Sequence, residues 1–447
     1  MATIAGKTLA EWETNPLIKQ LVNLESLFWI NQNKKSFAQE KDQVALSAAD
    51  IDEAAARLDR FAPWIAQTFS DTQATNGLIE SPYTAITNFQ QDLAARYHTT
   101  VPGKLYLKRD DLLPIAGTIK ARGAIYEVLV HAETLALENG LLTSKQDDYT
   151  KFGSPQCQQF FHDYRVVVGT TGNLGISVGV MAAALGFEAI VHVSSEAKQW
   201  KKTYLREHGV KVVEHKTNFT QAVAQGRQAA EADPQAYFVD DENSKHLFLG
   251  YTTAAQRLKQ QLAADGIVID AQHPLFLYLP CGVGGSPGGI AFGAKYQFGD
   301  NVYAFFAEPT HVPSLLLGLL TKQYANVSVT DFGIDGKTVM DGLAVPRTSQ
   351  FVAQLMAHFF DGGYTLTDET ANLNLARLYD TENIFLEPAA TAGLSGPAAL
   401  LTSQVGQAFL AQQQLTDKMA NAVHIAWATG GSMVPAADRQ AFYQAGK

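Results

Sequence analysis

From Arg165 onward the chain repeats one pattern: a short apolar run, a loop of small residues, then a stretch with helical spacing. Val166-Val167-Val168 leads into Leu174 to Leu185, Ala189-Ile190-Val191 into Trp200 to His208, and Val210 to Val213 into a helix beyond Asn218. The pattern resumes with Phe276-Leu277-Tyr278-Leu279, a glycine loop and a helix near Ile290. Val302 to Phe306 follows, and lastly Val423-His424-Ile425-Ala426 before Thr429-Gly430-Gly431. Strands that are apolar along their whole length are those buried on both faces, and parallel neighbours are usually joined by a helix. The alternation predicts an α/β fold of parallel-rich sheets covered by helices.

The segment before this region reads differently. Ser47 and Asp50 form a capping-box-like start, after which Ile51, Ala55, Leu58, Phe61 and Phe69 recur at near-helical spacing, so the first hundred or so residues are expected to be mostly helical. Leu105 to Lys108 is strand-like, and a Pro/Gly loop through Gly117 gives way at Lys120 to a helix with Ile125, Val128 and Leu129 on one face. A length of 447 residues suits two or three domains. With 46% hydrophobic and 17% charged residues, the chain reads as an ordinary globular enzyme. Its net charge of -10 is scattered, which offers no electrostatic footprint for nucleic acid or an anionic membrane. No run of about 18 apolar residues occurs and no secretory signal opens the chain, so the expected address is the cytoplasm. Cys157 and Cys281 are too few for a disulfide framework, and no HExxH or CxxC motif occurs; both cysteines fit a reducing compartment.

Four loops at strand ends carry the candidate chemistry, and carboxyl ends of strands are where open α/β sheets place ligands. Gly117-Thr118-Ile119-Lys120-Ala121-Arg122-Gly123 puts a lysine where a loop becomes a helix. A lysine that attacks an aldehyde must be neutral, and desolvation, a neighbouring cation such as Arg122 or a helix N-terminus each lower its ordinary pKa of about 10.4. A solvated helix-start lysine has the same local pattern. Cys281-Gly282-Val283-Gly284-Gly285-Ser286-Pro287-Gly288-Gly289 follows a strand and opens a helix. Glycines there let backbone N–H groups converge on a phosphate, although a tight packing turn would use them equally. Thr170-Thr171-Gly172-Asn173-Leu174-Gly175 offers hydroxyls, an amide and N–H donors suited to a carboxylate, or simply a helix cap. Thr429-Gly430-Gly431 completes the set, whereas Asp240-Asp241-Glu242-Asn243 could line the mouth of a site or form a solvated loop, and is read as the loop. Glu308, about 20 residues past the glycines at a strand end, invites a dinucleotide reading. Pro287 then stands where the third glycine of that fingerprint belongs. Gly336-Lys337-Thr338 similarly mimics a P-loop ending, but Asp331 holds the place of its first glycine.

Taken in chain order, Gly117-Thr118-Ile119-Lys120, Thr171-Gly172-Asn173, the glycine loop and Thr429 resemble the fold-type II pyridoxal 5′-phosphate (PLP) enzymes, the group of serine and threonine dehydratases. Leu113 to Gly123, Asp240 to Ser244, Pro280 to Gly285 and Trp427 to Gly431 are most similar to the bacterial D-serine dehydratase family, over nearly the whole chain. The resemblance implies the two-domain α/β fold of the tryptophan synthase β type, with the cofactor in an interdomain cleft. On this reading residues 1–121 form a helical extension and the first part of a large domain, 122–245 a small domain, and 246–447 the remainder of the large one.

It also implies roles for single residues. Lys120 forms the Schiff base with PLP, and the backbone of Gly282, Val283, Gly284 and Gly285 holds the phosphate. Asn173 meets the phenolic oxygen and Thr429 the pyridine nitrogen, while Thr170, Thr171, Gly172 and Asn173 receive the substrate. A neutral hydroxyl at the pyridine nitrogen makes the ring less electron-withdrawing, which favours prompt loss of a β-hydroxyl over racemisation. The implied reaction converts D-serine to pyruvate and ammonia, extending to D-threonine and 2-oxobutanoate, with Lys120 as base and Thr171 sharing the proton transfers. Family likeness also implies a monovalent cation such as potassium, with no ligands assignable, a small amino-acid substrate and a monomer. Ser286 and Ala124 depart from the glycines expected at their positions. The rival readings are an L-serine or L-threonine dehydratase of the same fold, a dinucleotide-binding reductase, and a non-catalytic protein that keeps only the fold.

Overall fold

The computed structural model describes residues 3–170, 172–195, 197–216 and 219–447. Its strands are β1 (Phe28–Ile30), β2 (Tyr83–Ala85), β3 (Lys104–Arg109), β4 (Arg165–Thr170), β5 (Glu188–Ser194), β6 (Lys211–His215), β7 (Ala236–Val239), β8 (Leu275–Pro280), β9 (Val302–Pro309), β10 (Gly362–Leu366) and β11 (Val423–Ala428). The chain divides into two compact units. One comprises Met1–Ser47, Ser81–Leu112 and Ala254–Lys447, and the other Ala48–Glu80 and Leu113–Thr253. The α/β architecture expected from the alternation is present in both.

The first unit is built on a seven-stranded sheet in the order β1-β10-β9-β8-β11-β3-β2. The five inner strands run parallel, and the two edge strands pair antiparallel to them. Every residue of β8, β9, β10 and β11 is buried, as expected of strands covered on both faces. Phe276, Tyr278, Tyr303, Phe305 and Phe409 form one core cluster, and Leu105, Leu107, Leu386 and Ala426 belong to another. At the β1 edge Asp361 is fully buried; it pairs with Lys34, accepts from Lys295 Nζ at 3.2 Å and from the Ala304 N–H at 2.9 Å. Such a buried charge persists only when paired and hydrogen-bonded.

The second unit carries a four-stranded parallel sheet, β6-β5-β4-β7. The helices Asn173–Leu185 and Phe219–Glu231 both pack on β4 and β5. The helix Ala48–Thr68 begins directly after Ser47, where the capping pattern predicted a start. It inserts Phe61 and Trp64 among Tyr149 and Phe152, and binds Glu133 through Arg57 and Arg60 at 2.7 Å each.

Four strands are not announced by the sequence pattern. β1 and β2 are three residues each, too short for a period to show. β7 is a four-residue run hidden behind Asp233-Pro234. β10 opens with two glycines, and a Cβ on Gly363 would lie 3.0 Å from the Phe306 carbonyl oxygen, so close approach to β9 favours the residue that weakens the strand signal.

Candidate active site

Lys120 is positioned by three fixed points within its unit. Upstream, the loop closes with the Gly117 N–H donating to the Leu113 carbonyl at 2.9 Å, and Asp71 Oδ2 accepts the Ile115 N–H at 2.7 Å. Ile115 holds φ +75°, a left-handed backbone that is costly for a β-branched residue and persists only where surroundings enforce it. Downstream, Ala121–Ile125 forms a π-helical turn leading into the helix Tyr126–Glu138; such turns recur at functional sites. That turn is pressed against residues 247–251. A Cβ on Gly123 would fall 2.5 Å from the Tyr251 ring, and one on Gly250 2.5 Å from the Arg122 carbonyl oxygen. Third, the ammonium itself donates to both oxygens of Asp241, at 2.9 and 3.1 Å.

This pairing corrects the solvated-loop reading of Asp240 to Asn243. Asp240 is tied down by Arg227, by Asn243 Nδ2 at 3.1 Å and by the Glu242 N–H at 3.1 Å, which leaves the next carboxylate, Asp241, to face Lys120. Arg122 is likewise not a spare cation beside Lys120: it is buried and closes a two-pronged pair with Glu80, with one N–H···O distance of 3.0 Å. Below this cluster Glu127 is 1% exposed and accepts from the Tyr237 hydroxyl at 2.8 Å. Burial, aided by the nearby negative charges of Asp240 and Asp241, pushes it up to about 7.

β4 and β7 are adjacent and parallel, so the loop after β4 and the Asp240–Asp241 turn after β7 share one sheet edge. In that loop Thr170 is buried and its hydroxyl oxygen accepts the Gly172 N–H at 2.9 Å. Asn173 opens the helix Asn173–Leu185, which packs against the turn Ala121–Ile125. Thr171 lies outside the described residues. One side chain that the sequence reading passed over also reaches this loop. Lys201, in the first turn of the helix Gln199–Glu207, lies so close that a Cβ on Gly172 would stand 2.7 Å from its Nζ.

In the other unit β8 and β11 are adjacent and parallel, so the glycine loop and Thr429 likewise leave one edge together. Gly284 takes φ +106° and caps the helix Gly285–Phe298. The loop is pinned through the Val283 carbonyl, which accepts from the Ser349 N–H at 3.0 Å and the Thr348 hydroxyl at 3.2 Å. A Cβ on Gly282 would lie 3.2 Å from the Gly342 carbonyl oxygen, and one on Gly284 3.4 Å from Val352 Cγ1. Bare backbone at a helix start is a cradle for a phosphate. Thr429, 7% exposed, directly follows β11, whose Trp427 indole donates to the buried Asp110 at 2.7 Å. Glu308, the acid that invited a dinucleotide, is turned inward. It is fully buried, and its oxygens accept the Leu315 and Leu316 N–H groups at 2.7 and 3.0 Å. Burial pushes it up to about 8, although those two donors pull the other way. A carboxyl so occupied does not bind a ribose.

Taken unit by unit, the amine of Lys120 at a loop-to-helix junction suits an aldehyde such as that of PLP, and in the other unit the side-chain-free cradle at Gly282 to Gly285 suits a phosphate and the neutral Thr429 hydroxyl a pyridine nitrogen. Among the described residues no three His, Cys, Asp or Glu side chains gather as a metal-holding group, and no helix is long and apolar enough to cross a membrane. Residues 87–408 match the family described as pyridoxal-phosphate dependent enzyme. A probable D-serine dehydratase of Chromobacterium violaceum is 53% identical over 448 residues, covering 99% of each chain. Another, from Geobacillus stearothermophilus, is 51% identical over 96% of this chain and 94% of its own. Among solved structures, the holo diaminopropionate ammonia lyase of Escherichia coli superposes with a TM-score of 0.68 at 17% identity, over 94% of this chain and 97% of its own. That likeness speaks for the fold. Together with the geometry of the two sheet edges, these matches establish that the chain belongs to the family of pyridoxal-phosphate dependent enzymes.

Proposed function

We propose that this protein is a PLP-dependent lyase that converts D-serine to pyruvate and ammonia and also accepts D-threonine. The reading is carried by the end-to-end likeness to D-serine dehydratases, 53% identical over 99% of both chains. Lys120 holds the cofactor through its ε-amine, Gly282 to Gly285 hold its phosphate, Asn173 its phenolic oxygen, and the Thr429 hydroxyl its pyridine nitrogen. When bound, the cofactor supplies a sink for the electrons left at Cα. The chain's own residues do the rest. Asp241 keeps the Lys120 terminus in place before the cofactor arrives, and afterwards Lys120 moves the proton at Cα. Thr170, Thr171 and Gly172 take the substrate carboxylate, and Thr171 shares the proton transfer. The neutral Thr429 hydroxyl, unlike a carboxylate, leaves the ring a modest electron sink, which favours expulsion of the β-hydroxyl over return of the proton.

We further assign the protein to the cytoplasm as a monomer that uses a monovalent cation such as potassium. The deciding experiment is a parallel assay of the holoenzyme on D-serine and L-serine, following pyruvate. Pyruvate from D-serine alone is expected; pyruvate from L-serine alone would move the protein to the L-specific dehydratases of the same fold. Comparing turnover in potassium with turnover in a bulky organic cation tests the ion, and sedimentation tests the assembly.

A further inference from the structure

The unit that carries Lys120 also holds a groove of about 1220 Å³ lined wholly by its own residues, Ile115, Val180 and Phe187 among them. Ordinary small-molecule sites measure roughly 300–1,000 Å³, so there is room for an organic ligand. Gly186 and Phe187, which precede β5, and His208 and Gly209, which precede β6, belong to its wall. The groove therefore lies at the amino edge of the smaller sheet, opposite the edge where Thr170 and Asp241 leave.

Four helices end at this groove. Thr68 closes the helix Ala48–Thr68 and His162 the helix Pro155–His162, Ala183 and Ala184 lie in the last turn of Asn173–Leu185, and His208 directly follows Gln199–Glu207. Several of the end carbonyls have partners: Gln158 Nε2 donates to the Ala184 carbonyl at 3.0 Å, and His208 Nδ1 lies 2.8 Å from that of Tyr204. The negative ends of four dipoles still converge, and such ends favour a cation. No lysine or arginine lines the groove, but two acids do, Asp71 and Glu188. Glu188 is balanced from outside by Arg165 at 3.1 Å and Lys211 at 3.4 Å. Asp71 has no such cation; its Oδ2 accepts the Ile115 N–H at 2.7 Å. Its charge extends across the groove, since burial first and Asp71 second push the Tyr204 phenol up. Beside these polar groups, Phe69, Val180 and Phe187 offer apolar contact.

Asp71 is also the wall residue that touches the Lys120 segment. Ile115 keeps its left-handed backbone, φ +75°, five residues before Lys120, and the carboxylate holds its N–H. A strained residue of this kind stays in place only while its surroundings enforce it. A cation resting on Asp71 draws on the same carboxylate and weakens that hold.

We propose that this groove is a regulatory site for a small organic cation, an N–H-bearing head on an apolar body, which rests on Asp71 and lowers turnover by loosening Ile115 ahead of Lys120. The coupling rests on the reading of Lys120 as the cofactor lysine; the binding does not.

The probes are benzamidine, a cation that fits a carboxylate, and benzamide, its neutral counterpart of the same shape. Each is titrated calorimetrically into wild-type, Asp71→Asn and Gln159→Arg holoenzyme. Asparagine keeps an acceptor for the Ile115 N–H and removes only the charge, whereas Gln159 is exposed on the rim, where arginine adds a competing charge. Wild type is expected to prefer benzamidine roughly 10-fold, Asp71→Asn to lose that preference, and Gln159→Arg to weaken benzamidine about 5-fold while leaving benzamide unchanged. In wild type the cofactor's visible absorbance shifts and D-serine turnover falls, both with a midpoint at the calorimetric dissociation constant. Equal binding of the two probes, or a preference that survives Asp71→Asn, overturns the site; should Asp71→Asn not fold, Gln159→Arg decides in the same way. Binding as expected with absorbance and turnover untouched, or inhibition that Gln159→Arg does not weaken, overturns the coupling. If Lys120→Ala keeps the wild-type absorbance, the cofactor reading fails and the coupling with it, while the calorimetric result stands by itself.

Discussion

Lys120 and Gly284 both stand where a loop turns into a helix, yet the two regions are made of different materials. Around Lys120 the functional groups are side chains bearing charge: Asp241 on the lysine and Glu80 on Arg122. Around Gly284 they are backbone groups, held by contacts such as those of Ser349 and Thr348 with the Val283 carbonyl. The first region is tuned by proton and charge balance. The second is tuned by shape, since backbone N–H groups cannot be titrated and only an added atom can spoil them. A perturbation of charge should therefore register at Lys120, and a perturbation of volume at Gly284.

The largest effect is expected from Lys120→Ala, which should lower kcat by roughly 10³-fold or more while circular dichroism and the melting transition stay close to wild type. Wild-type turnover in this variant would remove Lys120 from the chemistry altogether. Next comes Gly284→Val. A β-branched residue forced into a left-handed backbone should weaken PLP binding on the order of 10- to 100-fold in a fluorescence titration, without moving the pH dependence of activity. A shifted pH profile would mean that the two regions are not separable in this way.

Glu127 supplies the titration that the first region should show. Its folded pKa of about 7 lies above the ordinary carboxylate value of 4.5, so its favourable contribution to stability is complete below that ordinary value and is lost as pH rises through 7. Chemical denaturation at pH 6 and pH 8.5 should therefore show wild type losing stability relative to Glu127→Gln, by an amount on the order of 2 kcal/mol. Parallel curves for the two proteins would show that the buried carboxyl does not change its protonation between pH 6 and pH 8.5. The smallest effect belongs to Asp241→Asn. With the two side chains 19% and 23% exposed, the ion pair is partly screened. Its loss should cost the cofactor-free protein about 1 kcal/mol or less, visible as a melting point lower by about 1 °C.

The same contrast of materials explains what the sequence made legible. Gly282 to Gly285 and Lys120 could be found locally, because each depends on neighbours in the chain: a strand before, a helix after, glycines or a loop between. β4, β8 and β11 were legible for the same reason, being continuous apolar runs. Asp241 could not be found so, since it acts on a residue 121 positions away, and an Asp-Asp-Glu-Asn stretch has the composition of a solvated turn wherever it falls. The available signal was its place, directly after the apolar strand Ala236–Val239. Glu308 misled in the opposite sense, offering the right residue at the right spacing while its carboxyl was committed to the helix start at Leu315 and Leu316.

The strand orders also bear on how the chain comes off the ribosome. The four strands of the smaller sheet all fall between residues 165 and 239, whereas the larger sheet pairs β1, at residues 28–30, with β10, at 362–366. Long-range pairing is slow because loop closure comes before the contacts that reward it, and domains tend to fold as units in the order of synthesis. The sheet beside Lys120 can thus be complete while the larger one still lacks its central strands. Until β10 emerges, β1 has no neighbour, and its Phe28 and Trp29 side chains have to wait exposed or in the care of a chaperone.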